Sequence, residues 1–138
     1  IVGPYKEDYF KFLKKMYNIE YVEFLGEKTH RDTLEELKKS SIFILPSYTE
    51  GCPNVILEAM SLGKAIISTN VGAIPEMLQE ESGIIVSPKN VEELENSIDL
   101  LLKNEELQKK IGRNSFIRVR NNYTLDVIMK KYQVLWRS

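Results

Sequence analysis

Cysteine is almost absent from this 138-residue chain, because Cys52 stands alone and no intramolecular disulfide can form. A reducing compartment suits such a chain best, so we expect a cytoplasmic protein. No apolar run approaches the roughly 20 residues that span a bilayer, and we expect no transmembrane segment. The formal net charge is only −1, which removes the electrostatic case for nucleic acid as a partner.

The standard phosphate and metal fingerprints are also missing. The sequence has no P-loop and no G-x-G-x-x-G, and it has no Cys/His cluster, D-x-D pair or H-E-x-x-H. We therefore expect no bound metal and no cofactor. No predicted strand ends in an aspartate, which argues against a flavodoxin-like phosphorylated signalling domain.

What the chain does contain is a regular alternation of apolar runs and helical patterns. Strands are predicted at residues 22–25, 42–45, 65–67 and 84–86, and helices at about 5–17, 31–39, 54–62 and 75–79. Runs that are apolar on both faces suit parallel strands covered by helices on each side. After Pro88 the pattern predicts helices alone, the first capped by Asn90 with Glu93, then about 105–120 and 125–136. These features predict one α/β domain over residues 1–138, a doubly wound parallel sheet with the C-terminal helices packed on it.

A ligand of such a sheet lies beyond the carboxyl ends of the strands. The segment from Glu50 to Gly63 begins at one of these ends and turns into a helix that is apolar almost all round. Its polar residues Asn54, Glu58 and Ser61 form one stripe along the helix. Amides of the first helical turn can bind an anion, and Glu58 can accept hydrogen bonds from hydroxyls. An anion beside hydroxyls is the outline of a nucleotide's phosphate and ribose.

Glu50 and Glu58 have seven residues between them, and this E-x(7)-E spacing resembles the motif of retaining GT-B glycosyltransferases, group 1 family. Matching strings surround the pair: Pro46-Ser47, Glu50-Gly51-x-Pro53-Asn54, Leu57-Glu58-Ala59-Met60, Gly63, Val71-Gly72-Ala73-Ile74-Pro75-Glu76 and Ser82-Gly83-Ile84-Ile85-Val86. The resemblance runs through nearly the whole chain and implies the Rossmann-like C-terminal domain that binds the nucleotide sugar. Gly72 and Glu76 match a second rim segment to which we assign no role.

The resemblance implies a role for each residue of the helix start. Glu58 would bind the ribose hydroxyls of a nucleoside diphosphate sugar. The amides of Asn54 and Val55 would face the diphosphate. Pro53 has no N–H and can make no such contact.

The sugar and the base are assigned by the same resemblance. Glu50 would be the catalytic residue that binds hydroxyls of the donor sugar, helped by the amides of Gly51 and Cys52. A nucleophilic role for Cys52 is disfavoured, because the sequence places no base beside it. The base would stack near the rim formed by Leu25, Gly26 and Glu27.

The chain opens on Ile1-Val2-Gly3-Pro4, which reads as the end of a strand, so we expect it to be part of a longer enzyme and inactive alone. By resemblance, two further parts of the enzyme lie outside this chain. One is a pair of basic residues that binds the diphosphate, and the other is an N-terminal domain that binds an acceptor sugar or lipid-linked glycan. The helix at about 125–136 would pack toward that domain, and the full-length protein would be cytoplasmic or membrane-peripheral. The alternative is a non-catalytic nucleotide-binding subunit that docks to a partner chain. The sequence does not identify the sugar, base, acceptor, linkage or oligomeric state.

Overall fold

The structure is a computed structural model that describes residues 1–137, which group into two compact units. The first unit is Ile1–Glu36, and the second begins at Leu37. The single domain expected over residues 1–138 stays a prediction.

The first unit is organised around aromatic side chains. Helix α1 (Glu7–Met16) is amphipathic, as the pattern predicts. Helix α2 (His30–Lys39) begins in this unit, and its last three residues belong to the second unit. The ring of Phe24 lies 4.9 Å from Phe10 and 5.6 Å from Tyr5 between centroids. These contacts attach α1 to the extended segment around Phe24 and give the unit its own small apolar cluster.

The strand predicted at residues 22–25 is wrong. This segment forms a single parallel bridge, Val2 with Gly26, and hydrogen bonds join Leu25 N to Ile1 O (2.8 Å) and Gly3 N to Gly26 O (2.8 Å). The apolar pattern identified an extended segment correctly. A strand also needs a paired ladder of several residues, and local pattern does not reveal how long that ladder is.

The second unit contains a three-stranded sheet, all parallel, in the spatial order β1 (Ile42–Leu45), β2 (Ala65–Thr69), β3 (Ile84–Val86). The strand predictions here are confirmed, with β2 longer by two residues. Helix α3 (Asn54–Ser61) joins β1 to β2, and the short α4 (Ile74–Met77) joins β2 to β3. The carboxyl ends of all three strands therefore lie along one edge of the sheet.

The core lies on both sides of β2, whose five residues are all buried. Ala65 and Ile67 pack with Val86, Leu101 and Ile111 on one face. Side chains alternate along a strand, so the buried Ile66 and Ser68 point to the other face. Helices α3 and α4 also pack against β2. The predicted α/β sheet with helix cover is confirmed.

Three helices follow the sheet, as the sequence predicts: α5 (Val91–Lys103), α6 (Glu105–Asn122) and α7 (Leu125–Arg137). Two asparagines cap the first two of them, because Asn90 Oδ1 accepts from Glu93 N (3.1 Å) and Asn104 Oδ1 accepts from Leu107 N (2.9 Å). Among residues 1–137, no helix has both the length and the apolar character needed to cross a membrane. The contact of α7 with another domain stays a prediction.

Glu93 completes the Asn90 cap in a different way from a standard capping box. Its carboxylate accepts from the backbone N–H of Ser87 (2.6 Å) and from the Ser87 hydroxyl (3.2 Å). The backbone hydrogen bond from Ser87 is the main reason that the pKa of Glu93 lies below its usual value. The carboxylate thus ties the end of β3 to the start of α5.

Helix α6 approaches the end of α3 at Gly112. A Cβ at this position would overlap the carbonyl oxygen of Gly63, which follows α3, and would lie 3.2 Å from the Gly63 carbonyl carbon. The Ser115 hydroxyl, one turn later, shares its single proton between the carbonyls of Lys64 (3.1 Å) and Gly112 (2.9 Å). The sequence pattern of α6 alone does not show this close approach.

We expect Gly112→Ala to lower the free energy of unfolding by about 1–2 kcal/mol. Alanine normally stabilises a helix interior by roughly 0.5–1 kcal/mol relative to glycine, but overpacking against fixed backbone costs about 1–3 kcal/mol. Urea unfolding followed by circular dichroism measures the net effect. Asn121→Ala, on the exposed face of the same helix, is the control and should change stability by less than about 0.5 kcal/mol. A stabilising Gly112→Ala would show that the helices do not meet this closely.

Candidate functional site

The segment after β1 carries most of the residues that the sequence analysis selected. The strand ends at Leu45, and an irregular turn leads from Pro46 to Pro53, where α3 begins. Pro53 occupies the N-cap with φ −74° and ψ 112°, and no side chain caps this end. The first helical turn contains no acidic residue either. The positive end of the α3 dipole thus has neither a side-chain cap nor an acidic residue in its first turn.

The first amides of α3 face outward from this uncapped end. Ile56 N bonds back to Pro53 O (3.1 Å), while no described residue accepts a backbone hydrogen bond from Asn54 N or Val55 N. Such amides are the usual ligands of phosphate at a helix start. The position expected for an anion is thus available in the folded chain.

Glu50 is half-buried in the turn, and its carboxylate is held by a neighbour. The hydroxyl of Ser47 donates to Glu50 Oε1 at 2.6 Å. Ser47 is itself anchored, since the Thr69 hydroxyl at the end of β2 donates to Ser47 O at 2.6 Å. Two adjacent strand ends therefore cooperate in placing one carboxylate.

The loop after β2 packs directly on the Glu50 turn. Gly72 has φ +55°, a left-handed conformation, and its Cα faces the backbone of Glu50 and Gly51. A Cβ here would overlap Glu50 O and would lie 2.5 Å from Gly51 O. Ala73 N also donates to Gly51 O at 2.8 Å. Only glycine at position 72 allows the two loops to meet this closely.

Glu58 lies on α3 and is half-buried. Ile56, Ala59 and Met60 of the same helix are fully buried and face the core. The structure places Glu58 on the helix whose first amides are Asn54 N and Val55 N, one turn beyond them.

The remaining selected residues lie in other surroundings. Cys52 is an exposed free thiol in the turn before α3. Glu76 is exposed at the surface of α4, where its carbonyl accepts from the buried guanidinium of Arg118 (2.6 Å). Leu25, Gly26 and Glu27 belong to the first unit, and their part in a site stays a prediction.

Ser47 and Thr69 were not selected as site residues by sequence reasoning. Ser47 appeared only within a family string, and Thr69 lies beyond the strand predicted at residues 65–67. A serine three residues before a glutamate in a loop is a local signal for the first contact. The second contact joins residues 22 positions apart and has no local signal.

Within residues 1–137, no group of three or more His, Cys, Asp or Glu side chains is placed to hold a metal ion. The independence from metal expected from the sequence stays a prediction. An uncapped helix start, a fixed carboxylate and a second carboxylate along the helix are together suited to an anionic ligand that also carries hydroxyl groups.

The chain is similar to known proteins in sequence. A sequence model of the family described as glycosyl transferases group 1 matches residues 1–118. The chain is 33% identical over 116 residues to an N,N'-diacetylbacillosaminyl-diphospho-undecaprenol alpha-1,3-N-acetylgalactosaminyltransferase of Campylobacter jejuni, a match that covers 83% of the chain and 30% of the relative. The chain spans 28 to 30% of the length of the first curated relatives that it matches.

Solved structures show the same fold. The sucrose-phosphate synthase of Thermosynechococcus elongatus superposes with a TM-score of 0.84 at 25% identity, over 99% of this chain and 37% of that one. The Anabaena protein HepE, solved in complex with UDP, gives a TM-score of 0.77 at 20% identity, over 99% of this chain and 40% of that one. Both similarities extend over essentially the whole chain.

Proposed function

This chain belongs to the group 1 glycosyltransferase family, and on that premise we propose that it is the donor-binding part of a retaining glycosyltransferase. The enzyme would move a sugar from a nucleoside diphosphate sugar to an acceptor hydroxyl. The observation that carries the proposal is the convergence of an uncapped α3 with the anchored Glu50 at the carboxyl edge of the sheet. The UDP bound by the similarly folded Anabaena protein supports a nucleotide ligand.

The diphosphate is proposed to lie on the start of α3. Asn54 N and Val55 N point there without acceptors in the described chain, and the helix dipole favours negative charge. Pro53 contributes no N–H, so the contact begins at Asn54. This arrangement neutralises part of the phosphate charge without a metal ion.

The two glutamates are proposed to bind opposite ends of the ligand. Glu58 accepts hydrogen bonds from the ribose hydroxyls. Glu50 accepts from hydroxyls of the donor sugar, with the amides of Gly51 and Cys52 beside it. Glu50 is in this sense the catalytic residue, because it orients the reacting sugar.

The proposed reaction proceeds with retention at the anomeric carbon. The bond from this carbon to the phosphate oxygen breaks, and a bond to the acceptor oxygen forms on the same face. The acceptor's proton passes to the departing phosphate, so no side chain has to act as a base. The Campylobacter relative is named for a diphospho-undecaprenol acceptor, and we propose an acceptor sugar or lipid-linked glycan as the acceptor class here.

The 138-residue chain is expected to bind a nucleotide sugar weakly and to transfer none. Acceptor contacts, and the basic pair expected at the diphosphate, are proposed to lie in parts of the enzyme outside this chain, so much of the transition-state stabilisation is missing. Ligand-observed NMR against UDP-, GDP- and ADP-glucose measures binding, and release of nucleoside diphosphate with an acceptor mixture measures transfer.

Glu58→Ala is the control for both measurements. Turnover by the wild-type chain above this variant would contradict the predicted inactivity. Failure of all three nucleotide sugars to bind at millimolar concentration would contradict the donor-binding role.

A further inference from the structure

Two hydrogen bonds, each donated by a hydroxyl group, connect the ends of β1 and β2 to the Glu50 carboxylate. Thr69 is the last residue of β2 and is 2% exposed, so its side chain is fixed by the core. Its hydroxyl donates to Ser47 O at 2.6 Å, and the Ser47 hydroxyl donates to Glu50 Oε1 at 2.6 Å. The two hydrogen bonds thus lead from the rigid strand β2, through Ser47, to the half-buried carboxylate of Glu50.

Each hydroxyl has one proton to donate, and both protons are already used in these two hydrogen bonds. Ser47 therefore presents a donor to Glu50 and cannot at the same time donate to a ligand. Glu50 Oε1 keeps a second lone pair, and Oε2 keeps both of its own, so the carboxylate can accept from ligand hydroxyls while it is held.

The backbone beneath Glu50 is fixed independently. Ala73 N donates to Gly51 O (2.8 Å), and Gly72 fits closely against the Glu50 carbonyl. The turn is thus held from the β2 side, while the side chain is held by Ser47. Removal of the Ser47 hydroxyl should release the carboxylate and leave the turn in place.

We propose that Ser47 is a positioning residue that holds the Glu50 carboxylate ready for the donor sugar, with Thr69 as its anchor. This inference rests on the proposed function, in which Glu50 binds sugar hydroxyls. A glutamate side chain loses much rotamer freedom when it is ordered. Ser47 imposes that order before the ligand binds, so the entropy cost of ordering Glu50 does not reduce the affinity for the sugar.

The experiment measures the sugar's contribution to affinity. Calorimetric or NMR titrations of the 138-residue chain give the Kd for UDP and UDP-glucose, GDP and GDP-glucose, and ADP and ADP-glucose. The two ligands of a pair differ in phosphate charge as well as in the sugar. The change in the ratio of their Kd values between variants therefore reports the sugar contacts. Ser47→Ala should lower this preference for the sugar-bearing ligand by about fivefold to tenfold, within the usual net size of a single hydrogen bond. The Kd of the bare diphosphate should change less than twofold.

Ser68→Ala is the matched control. Its hydroxyl also donates to a carbonyl at the end of β1, Leu45 O at 2.8 Å, and it does not contact Glu50. It should leave the sugar preference unchanged, and Ser47→Thr, which keeps a hydroxyl, should preserve most of it. Thermal unfolding verifies that each variant is folded. If Ser47→Ala does not fold, Thr69→Val, which removes the anchor and keeps the shape, should give a smaller loss of the same preference.

A Glu50→Ala background separates positioning from a direct contact. With no carboxylate to hold, Ser47→Ala should have no further effect on the ratio of Kd values. A further loss there would mean that Ser47 touches the sugar directly and would overturn the inference. If Ser47→Ala leaves the ratio of Kd values unchanged while Glu50→Ala alters it, the inference about Ser47 is overturned and the proposed function is left intact. A wild-type ratio that does not depend on Glu50 would instead contradict the proposed role of Glu50 itself.

Discussion

Replacing Gly72 by alanine is expected to lower the free energy of unfolding by about 2–5 kcal/mol and to abolish detectable nucleotide-sugar binding. The left-handed backbone at Gly72 costs a residue with a Cβ about 1–2 kcal/mol, and overpacking adds about 1–3 kcal/mol. The new methyl group would overlap Glu50 O and approach Gly51 O, both of which are backbone atoms that cannot rotate away. Urea unfolding and NMR titration with the best-binding nucleotide sugar measure the two effects.

Gly51→Ala is the matched control for this substitution. Nothing lies within 4 Å of a Cβ built at Gly51, and its φ is not positive. Its stability should therefore change by less than about 0.5 kcal/mol. Equal losses of stability in both variants would show that the contact between the two loops does not hold the turn.

Replacing Glu58 by alanine is expected to weaken the binding of a nucleoside diphosphate by about 1–3 kcal/mol. This is the usual effect of losing a charged hydrogen-bond acceptor that receives ligand hydroxyls. The free energy of unfolding should fall by much less than the binding free energy does. Glu58 is only half-buried, and the core side of α3 is formed by other residues. Titrations of both proteins with the nucleoside diphosphate measure the difference.

A ligand that lacks the 2′-hydroxyl identifies what Glu58 contacts. Its removal should cost the wild type much more affinity than it costs Glu58→Ala, and equal losses would show that the carboxylate does not touch the ribose. Ser61→Ala, on the same stripe of α3, is the control. The Ser61 hydroxyl donates to Leu57 O (2.7 Å), and this variant should bind nucleotide as the wild type does.

The accuracy of the sequence predictions differs between helices and strands. The helices were placed within two residues at nearly every end, because the cap at Asn90 and the spacing of apolar side chains are local signals. The strand predicted at residues 22–25 failed, since strand formation depends on a partner elsewhere in the chain.

The sequence by itself determined the family, the sheet with its helices, and the segment that carries Glu50, the start of α3 and Glu58. All of these follow from residues that are near one another in the chain, where spacing and residue type are sufficient evidence.

Only the tertiary structure decided how Glu50 is held. The hydrogen bond from Thr69 to Ser47 O and the close approach of Gly72 join the Glu50 turn to the end of β2 and to the loop that follows it. These loops meet because parallel pairing brings the carboxyl ends of β1 and β2 to the same edge, with a register that sets Leu45 opposite Ser68. Such register is a property of paired backbones, and no periodicity within one segment encodes it.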